Sequence, residues 1–176
     1  MIQLSSVLWL TIFTFALIGY LRGFDKELIA TSGIVLALFT LVQFNDFLVT
    51  LTSGAGNPLQ ALFYLQAIVV LLVTFFAYQT PTDRLTVRGG RSKARGETQS
   101  RLLGVITGGF NGYLVFGSLW FYLDEKGYPI DSISAPALGT ASQSLVSSLP
   151  LSWLLEGNLL TLLVIGLFLF ILIAII

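Results

Sequence analysis

The chain has 176 residues, of which 55% are hydrophobic and only 10% are charged. This apolar fraction exceeds the roughly 45–50% of ordinary soluble domains, so the sequence predicts an integral membrane protein. Nine basic and nine acidic side chains cancel, which leaves no global attraction to polyanions. Cysteine and histidine are absent, which excludes disulfides, thiolate or imidazole catalysis and metal or haem bound by these residues. A cofactor with other ligands is left open, although we expect no cofactor, no metal and no catalytic residue.

Five apolar stretches lie along the chain, each close to the ~20 residues that cross a ~30 Å hydrocarbon core. They cover residues 2–21, 26–50, 59–78, 101–124 and 158–176. We therefore predict an all-α bundle of about five transmembrane helices. Basic residues fall on one side of this arrangement, with Lys126 alone on the other; they are Arg22, Lys26, Arg84, Arg88, Arg91, Lys93, Arg95 and Arg101. Because basic residues in short loops stay in the cytoplasm, the N-terminus should lie outside and the C-terminus in the cytoplasm.

The fourth stretch carries a helix face without bulky side chains. Gly104, Gly108 and Gly112 recur every four residues, so they share one side of a helix. In lipid such small residues allow helix backbones to touch, and van der Waals contact is the main source of helix association there. We expect the bundle to assemble on this face. The helix-packing residues predicted for the first two spans, on the same spacing argument, are Gly19, Gly23 and Gly33.

Polar side chains inside the apolar stretches mark a candidate polar pathway. It comprises Gln66, Asn111 and Asp46. Asp46 belongs to a polar cluster at the end of the second span, where interfacial solvation and a polar vestibule are both open interpretations. Gln66 suits either an interhelical hydrogen bond or a transport role. Asp25 and Glu27 open the second span, where carboxylates complement the positive end of the helix dipole.

The segment 81–100 is the strongly polar part of the chain. Its basic residues are Arg84, Arg88, Arg91, Lys93 and Arg95. These residues either set the topology alone or also contact anionic lipid headgroups or an acidic partner. Attraction to an anionic membrane surface contributes about 1 kcal/mol per basic residue. The stretch 89–93 lacks the pattern of a phosphate-binding loop, and no aromatic residue alternates with the charges. We therefore expect no nucleotide and no nucleic acid as a partner.

An external segment follows at 125–156. Within it, residues 141–155 mix serines with apolar residues and predict a short amphipathic helix lying in the membrane interface before the last span. Trp120, Tyr122 and Trp153 should form the aromatic belt at the outer surface of the membrane.

Short glycine-containing motifs in this order resemble the CvpA (colicin V production protein) family of bacterial inner membranes. They are Gly19-Tyr20-Leu21-Arg22-Gly23-Phe24 with Glu27-Leu28, then Arg101-Leu102-Leu103-Gly104 with Gly108. The resemblance implies a multi-pass protein of the bacterial inner (plasma) membrane, with a four-helix core within residues 1–155 and a cytoplasmic basic loop at 81–100. Two features depart from the family: Asn111 stands where a basic residue is common, and residues 157–176 add a transmembrane helix.

Two classes of function fit these observations. The first is a non-catalytic CvpA-like membrane scaffold or assembly protein. This class includes an accessory subunit of a larger membrane complex. Its partners would be membrane lipids and other integral membrane subunits. The alternative is a component of a small-solute transporter or channel, which needs polar groups at mid-depth in the membrane. An enzyme is not expected, since a serine or threonine nucleophile would find no base.

Overall fold

The computed structural model describes residues 3–79 and 93–175, the side chains of 93–95 and 170–175 excepted. These residues form helices and connecting loops, without a strand, as the sequence predicts. The helices are α1 (Leu4–Arg22), α2 (Phe24–Gln43), α3 (Asn45–Thr52), α4 (Pro58–Gln79), α5 (Lys93–Glu125), α6 (Ala141–Val146), α7 (Pro150–Leu154) and α8 (Leu159–Ile175). A single 3₁₀ turn, Glu156–Asn158, joins α7 to α8.

Within the described residues, three helices are long and apolar enough to cross a membrane alone: α1, α4 and residues 96–125 of α5. Two bent pairs raise the number of candidate spans to five: α2 with α3, and the α6–α7 segment with α8. The five spans predicted from the sequence are thus the largest number that the described helices allow. The predicted orientation of the termini stays a prediction.

The second predicted span, 26–50, is not one continuous helix. It breaks at Phe44, and α2 and α3 meet there at 65°. Gln43, Asn45 and Asp46 surround the break. Asn and Asp readily hydrogen-bond to nearby backbone in non-helical conformations, which favours helix ends over helix interiors. The polar cluster thus lies where α2 ends and α3 begins, a position that these residue types favour.

The last predicted span, 158–176, corresponds to α8. Its start is fixed by Gly157 and Asn158, whose φ angles of 57° and 61° interrupt the helical path after α7. With 17 residues, α8 reaches spanning length only together with the segment before it, across a 46° bend. Among the described helices α8 contacts α2 and α7, and most of its described side chains are not buried.

Helix α5 is the central element, and α1, α2, α4, α6 and α7 all contact it. The main apolar core lies where α2, α4, α5, α7 and α8 meet, and its fully buried members include Ile34, Val35, Leu38, Leu114, Leu151 and Leu154. Close packing of such side chains supplies the dispersion contacts that hold helices together in lipid.

The external segment differs from the single amphipathic helix predicted for 141–155. Pro150 separates α6 from α7, and Leu149, Leu151 and Leu154 are buried rather than presented to lipid. The pyrrolidine ring of Pro150 lies over Gly117 of α5, where any Cβ would overlap it. A Ser142–Ser5 hydrogen bond of 2.8 Å also ties α6 to α1. The segment is thus part of the packed bundle.

The predicted aromatic belt is wrong for two of its three members. Trp120 and Tyr122 are 1% and 3% exposed and lie inside the protein. The Trp120 indole N–H donates to the Tyr128 hydroxyl at 3.1 Å, and Tyr128 in turn donates to Asp124 at 3.0 Å. Outside the spans, burial raises the pKa of Tyr128 to about 12. The external segment thus folds back over these side chains and removes them from the surface.

Candidate functional site

The glycines of α5 lie against α1 in a close helix contact. A Cβ at Gly108 would overlap the carbonyl oxygen of Phe15, and one at Gly104 would overlap that of Gly19. Gly112 lies next to the Thr11 carbonyl, which a Cβ would approach to 2.8 Å. The two backbones therefore touch along more than two turns of α5, a separation that side chains larger than hydrogen do not allow.

The other two predicted packing glycines have different neighbours. Gly33 of α2 faces the methyl group of Ala77 on α4, so it does not meet the glycine face of α5. Gly23 forms the single-residue turn between α1 and α2, with a φ of 82° that favours glycine. Its N–H donates to the Gly19 carbonyl at 2.8 Å, which closes the last turn of α1.

This turn brings two opposite charges together. Arg22 ends α1 and Glu27 lies in the first turn of α2, and their side chains form an ion pair of 2.8 Å. The Phe24 N–H donates to the Ser100 hydroxyl at 3.2 Å, which fixes the turn against α5. Glu27 is therefore pointed into the bundle, where it is 0% exposed.

A connected group of polar side chains surrounds this carboxylate. We call it the Glu27 cluster, and its members are Arg22, Glu27, Thr31, Tyr78 and Asn111. Oε1 of Glu27 accepts from Arg22, while Oε2 accepts from the Tyr78 hydroxyl at 2.7 Å and from Nδ2 of Asn111 at 2.9 Å. The Thr31 hydroxyl lies 2.7 Å from the Asn111 side-chain oxygen and 2.8 Å from the Glu27 backbone carbonyl, and its one hydrogen is donated between these two acceptors. Every polar end of the Asn111 amide thus has a protein partner.

Arg22 also holds the end of α4. Its second guanidinium nitrogen donates to the Tyr78 backbone carbonyl at 3.2 Å, and the guanidinium lies 4.3 Å from the centre of the Tyr78 ring. A carbonyl in the last turn of a helix lacks an intrahelical donor, so the arginine satisfies it and complements the helix dipole. Cation–π attraction adds to this contact when the cation is partly desolvated. Arg22 therefore binds both the Glu27 carboxylate and the C-terminal end of α4.

The Glu27 cluster joins four helices through one buried charge. Arg22 comes from α1, Glu27 and Thr31 from α2, Tyr78 from α4 and Asn111 from α5. A buried ion pair is favourable only when its geometry is good and further hydrogen bonds satisfy the remaining atoms, as they do here. Loss of one partner would leave an uncompensated charge in the bundle. This arrangement can lock the relative position of the helices.

The structure does not bring the predicted polar pathway together. Asn111 is 0% exposed and belongs to the Glu27 cluster. Gln66 is buried on α4, three turns of helix away from Tyr78, outside this cluster. Asp46 is exposed in the first turn of α3, at the opposite end of α2 from Glu27.

The predicted lipid or partner contacts lie beyond the part of the chain that can be described. Arg84, Arg88 and Arg91 fall outside the described residues. Lys93 and Arg95 lie in the first turn of α5, but their side chains are not among those that the structure describes. Their role in binding anionic lipid stays a prediction.

Sequence reasoning missed Glu27 as a site residue, along with Arg22, Thr31 and Tyr78. It interpreted Glu27 as a partner of the helix dipole at the membrane surface. One signal was present: Arg22 and Glu27 have opposite charges and are separated by a glycine turn between two apolar stretches. Such a hairpin places the two side chains within reach of each other. Tyr78 carried no comparable signal, because an aromatic residue at the end of a span is ordinary in membrane proteins.

Apolar helices packed around a buried ion pair define a multi-pass α-helical membrane protein. A model of the Colicin V production protein family matches residues 4–144, and the chain belongs to this family. The family resemblance of the glycine motifs is thereby confirmed. The match ends within α6, so α7 and α8 lie beyond it. A search of curated proteins and a search of solved structures each found no match.

Proposed function

We propose that the protein is a non-catalytic scaffold or assembly protein of the bacterial inner membrane, acting as an accessory subunit of a larger membrane complex. The observation that carries the proposal is the closed Glu27 cluster. Protein donors engage both carboxylate oxygens of Glu27, and the Asn111 amide is bonded at both ends. Three of the roughly four acceptor positions of the carboxylate are thus occupied and the side chain has no exposed surface, which favours a rigid docking body over a substrate site.

A surface suited to a neighbouring subunit is the outer face of α8. Leu162, Ile165, Phe168 and Leu169 are 49–59% exposed there, and α8 lies beyond the residues that match the family. A helix added to a complete family core offers new contact area without disturbing that core. Phenylalanine and leucine allow the dispersion contacts on which helix association in lipid depends.

Purification from native membranes in mild detergent tests this proposal. We expect an integral membrane protein to co-purify in a fixed ratio. A paired Leu162→Trp and Ile165→Trp variant should lose this partner, because bulk on α8 prevents close packing while hydropathy stays suited to lipid. The matched control places the same two tryptophans at Leu10 and Leu17, which are 65% and 52% exposed on α1. Migration of the wild type as an isolated 19.2 kDa species would overturn the accessory role.

A second candidate, a transporter or channel component for small solutes, is favoured by one specific observation. Glu27 is an ionisable side chain with no exposed surface in a bundle of apolar helices. Such residues commonly mark ion or proton pathways. Flux measured in proteoliposomes separates the two candidates: a transport role predicts that Glu27→Gln and Asn111→Leu abolish flux while the protein stays folded. The scaffold role predicts no protein-dependent flux in the wild type.

A further inference from the structure

Three buried polar atoms lie in the half of the bundle away from the Glu27 cluster. They are Oε1 of Gln66, Oγ of Ser118 and the hydroxyl oxygen of Tyr122, and none has a hydrogen-bond partner among the described residues. The three residues are only 1%, 0% and 3% exposed. An unpaired buried polar group costs about 1–3 kcal/mol. Three in one small bundle therefore indicate that something other than the described residues satisfies them.

The helix register places Gln66 and Tyr122 at about the same level of the bundle. The 3.2 Å bond between Asn111 and Tyr78 aligns α4 with α5, and the two helices run in opposite directions from it. Tyr122 follows Asn111 by eleven residues and Gln66 precedes Tyr78 by twelve, which are rises of about 16 and 18 Å. Ser118 lies one turn from Tyr122 on the same face of α5. Residues on either side of Gln66 share one apolar core with Tyr122; these are Phe63 and Val70.

The chemistry of the three atoms selects the ligand. The amide oxygen of Gln66 only accepts hydrogen bonds, whereas the two hydroxyls donate and accept. All three groups are neutral, so they offer a metal ion too little charge and too few oxygens; Ca²⁺, for example, takes 6–8 oxygen ligands. A water molecule both donates and accepts, and buried waters typically make about three hydrogen bonds to polar groups of this kind. Water is therefore the ligand that fits.

Gln66 and Tyr122 define the site more strictly than Ser118 does. A serine hydroxyl within a helix can rotate to bond the carbonyl of the preceding turn of its own helix. The polar ends of Gln66 and Tyr122 lie far from their own backbones, so they have no such local alternative.

We propose that Gln66, Ser118 and Tyr122 form an internal water site between α4 and α5. The bundle then has two polar levels of different kind. The Glu27 cluster is closed by protein hydrogen bonds, whereas the level of Gln66 and Tyr122 is completed by water. This site is independent of the scaffold role.

Radiolytic footprinting of the protein in nanodiscs prepared in ¹⁸O-labelled water tests the proposal. X-ray pulses generate hydroxyl radicals from bound water, which oxidise the side chains beside it. We expect Tyr122, which is 3% exposed, to be modified several-fold faster than Tyr78, a tyrosine of the Glu27 cluster that has only protein partners. Exposure alone predicts the reverse order, since Tyr78 is partly exposed and Tyr122 is buried. Modification of Tyr122 no faster than Tyr78 would overturn the proposal.

A double-mutant cycle provides the second measurement. Tyr122→Phe and Gln66→Met each remove one ligand of the water with little change in volume. Each single variant should lower the Tm, because the remaining polar groups hold the water less well, and the double variant should regain part of the loss. Tyr64→Phe, at a 46% exposed position on α4, is the control and should leave the Tm unchanged. Additive losses in the double variant would show that the two side chains share no water.

Discussion

The Tyr78 hydroxyl donates a 2.7 Å hydrogen bond to Oε2 of Glu27, which joins the last turn of α4 to the first turn of α2. Oε2 also accepts from Asn111 at 2.9 Å, so α2, α4 and α5 meet at a single oxygen atom. The negative charge on that oxygen strengthens both bonds, because hydrogen bonds to an ionised acceptor are roughly twice as strong as neutral ones. The packing of three helices therefore depends on one carboxylate charge.

Replacement of that charge is the most direct test of the Glu27 cluster. Glu27→Gln keeps the shape of the side chain but leaves the Arg22 guanidinium without a counter-ion. Breaking a buried ion pair in this way costs about 3–5 kcal/mol. We expect a large drop in the Tm of the detergent-solubilised protein. Asp25→Asn makes the same chemical change at an exposed position two residues earlier, and it should leave the Tm within experimental error.

The paired variant Arg22→Met with Glu27→Leu serves as a control for charge. It removes both members of the ion pair, so no uncompensated charge remains, and it should be more stable than either single variant. Equal Tm values for Glu27→Gln and the wild type would contradict the structural role of the cluster.

Gly108→Leu should force α5 away from α1. Its first side-chain atom would overlap the Phe15 carbonyl, which is backbone and cannot rotate aside. Overpacking of this kind typically costs about 1–3 kcal/mol. Thermal unfolding in detergent measures the effect. Gly166→Leu is the matched control, because a Cβ there meets no atom within 4 Å, and a drop of equal size in the control would refute the close contact.

Ionisation of Tyr128 should lower the free energy of unfolding as the pH rises from about 10 to about 12. Burial raises the pKa of this phenol from its ordinary value of 10.0 to about 12. Below pH 10 the phenol is protonated in the folded and unfolded chains alike, whereas between the two values the unfolded chain loses the proton first. The folded state then binds more protons, so raising the pH favours unfolding. Unfolding followed against pH should give a shallower decline for Tyr128→Phe than for the wild type, and identical profiles would contradict the shift.

Arg91→Gln with Lys93→Gln should weaken the association with anionic lipids while the fold is retained. Each basic residue near a charged membrane surface contributes about 1 kcal/mol. Native mass spectrometry of the lipids retained after purification from mixed anionic and zwitterionic membranes measures this effect. Lys126→Gln removes a basic residue at the other end of α5 and should change lipid retention less. Retention of anionic lipid equal to the wild type would refute the role of the loop.

The helical class and the family were predictable from local signals. Apolar stretches of spanning length identify membrane helices because lipid offers the backbone no hydrogen-bond partner. The spacing of Gly104 and Gly108 identifies one face of a helix, and the structure places that face against Gly19. Both signals are periodic along the sequence, so a single chain is sufficient to detect them.

The candidate site was harder to predict because its members are distant in sequence. Tyr78 lies 51 residues from Glu27, and Asn111 lies 84 residues from it. No local pattern couples a tyrosine at the end of one span with an asparagine in another. Trp120 was predicted at the membrane surface because it lies near the end of a span. The external segment covers it through tertiary packing, which no local pattern shows. The break at Phe44 was also missed, because Phe47, Leu48 and Val49 beyond the polar cluster are apolar enough to extend a span.

The one-residue turn at Gly23 has a consequence for how the chain enters the membrane. Charged side chains oppose the entry of a helix into lipid, by up to about 2.5–3.5 kcal/mol at the helix centre on scales derived from insertion by the translocon. Because Arg22 and Glu27 are only five residues apart, they can neutralise each other as soon as this hairpin has been synthesised. The first two helices can therefore partition into lipid as a unit, long before the ribosome reaches Asn111. Later helices then arrive at a carboxylate whose charge is already paired.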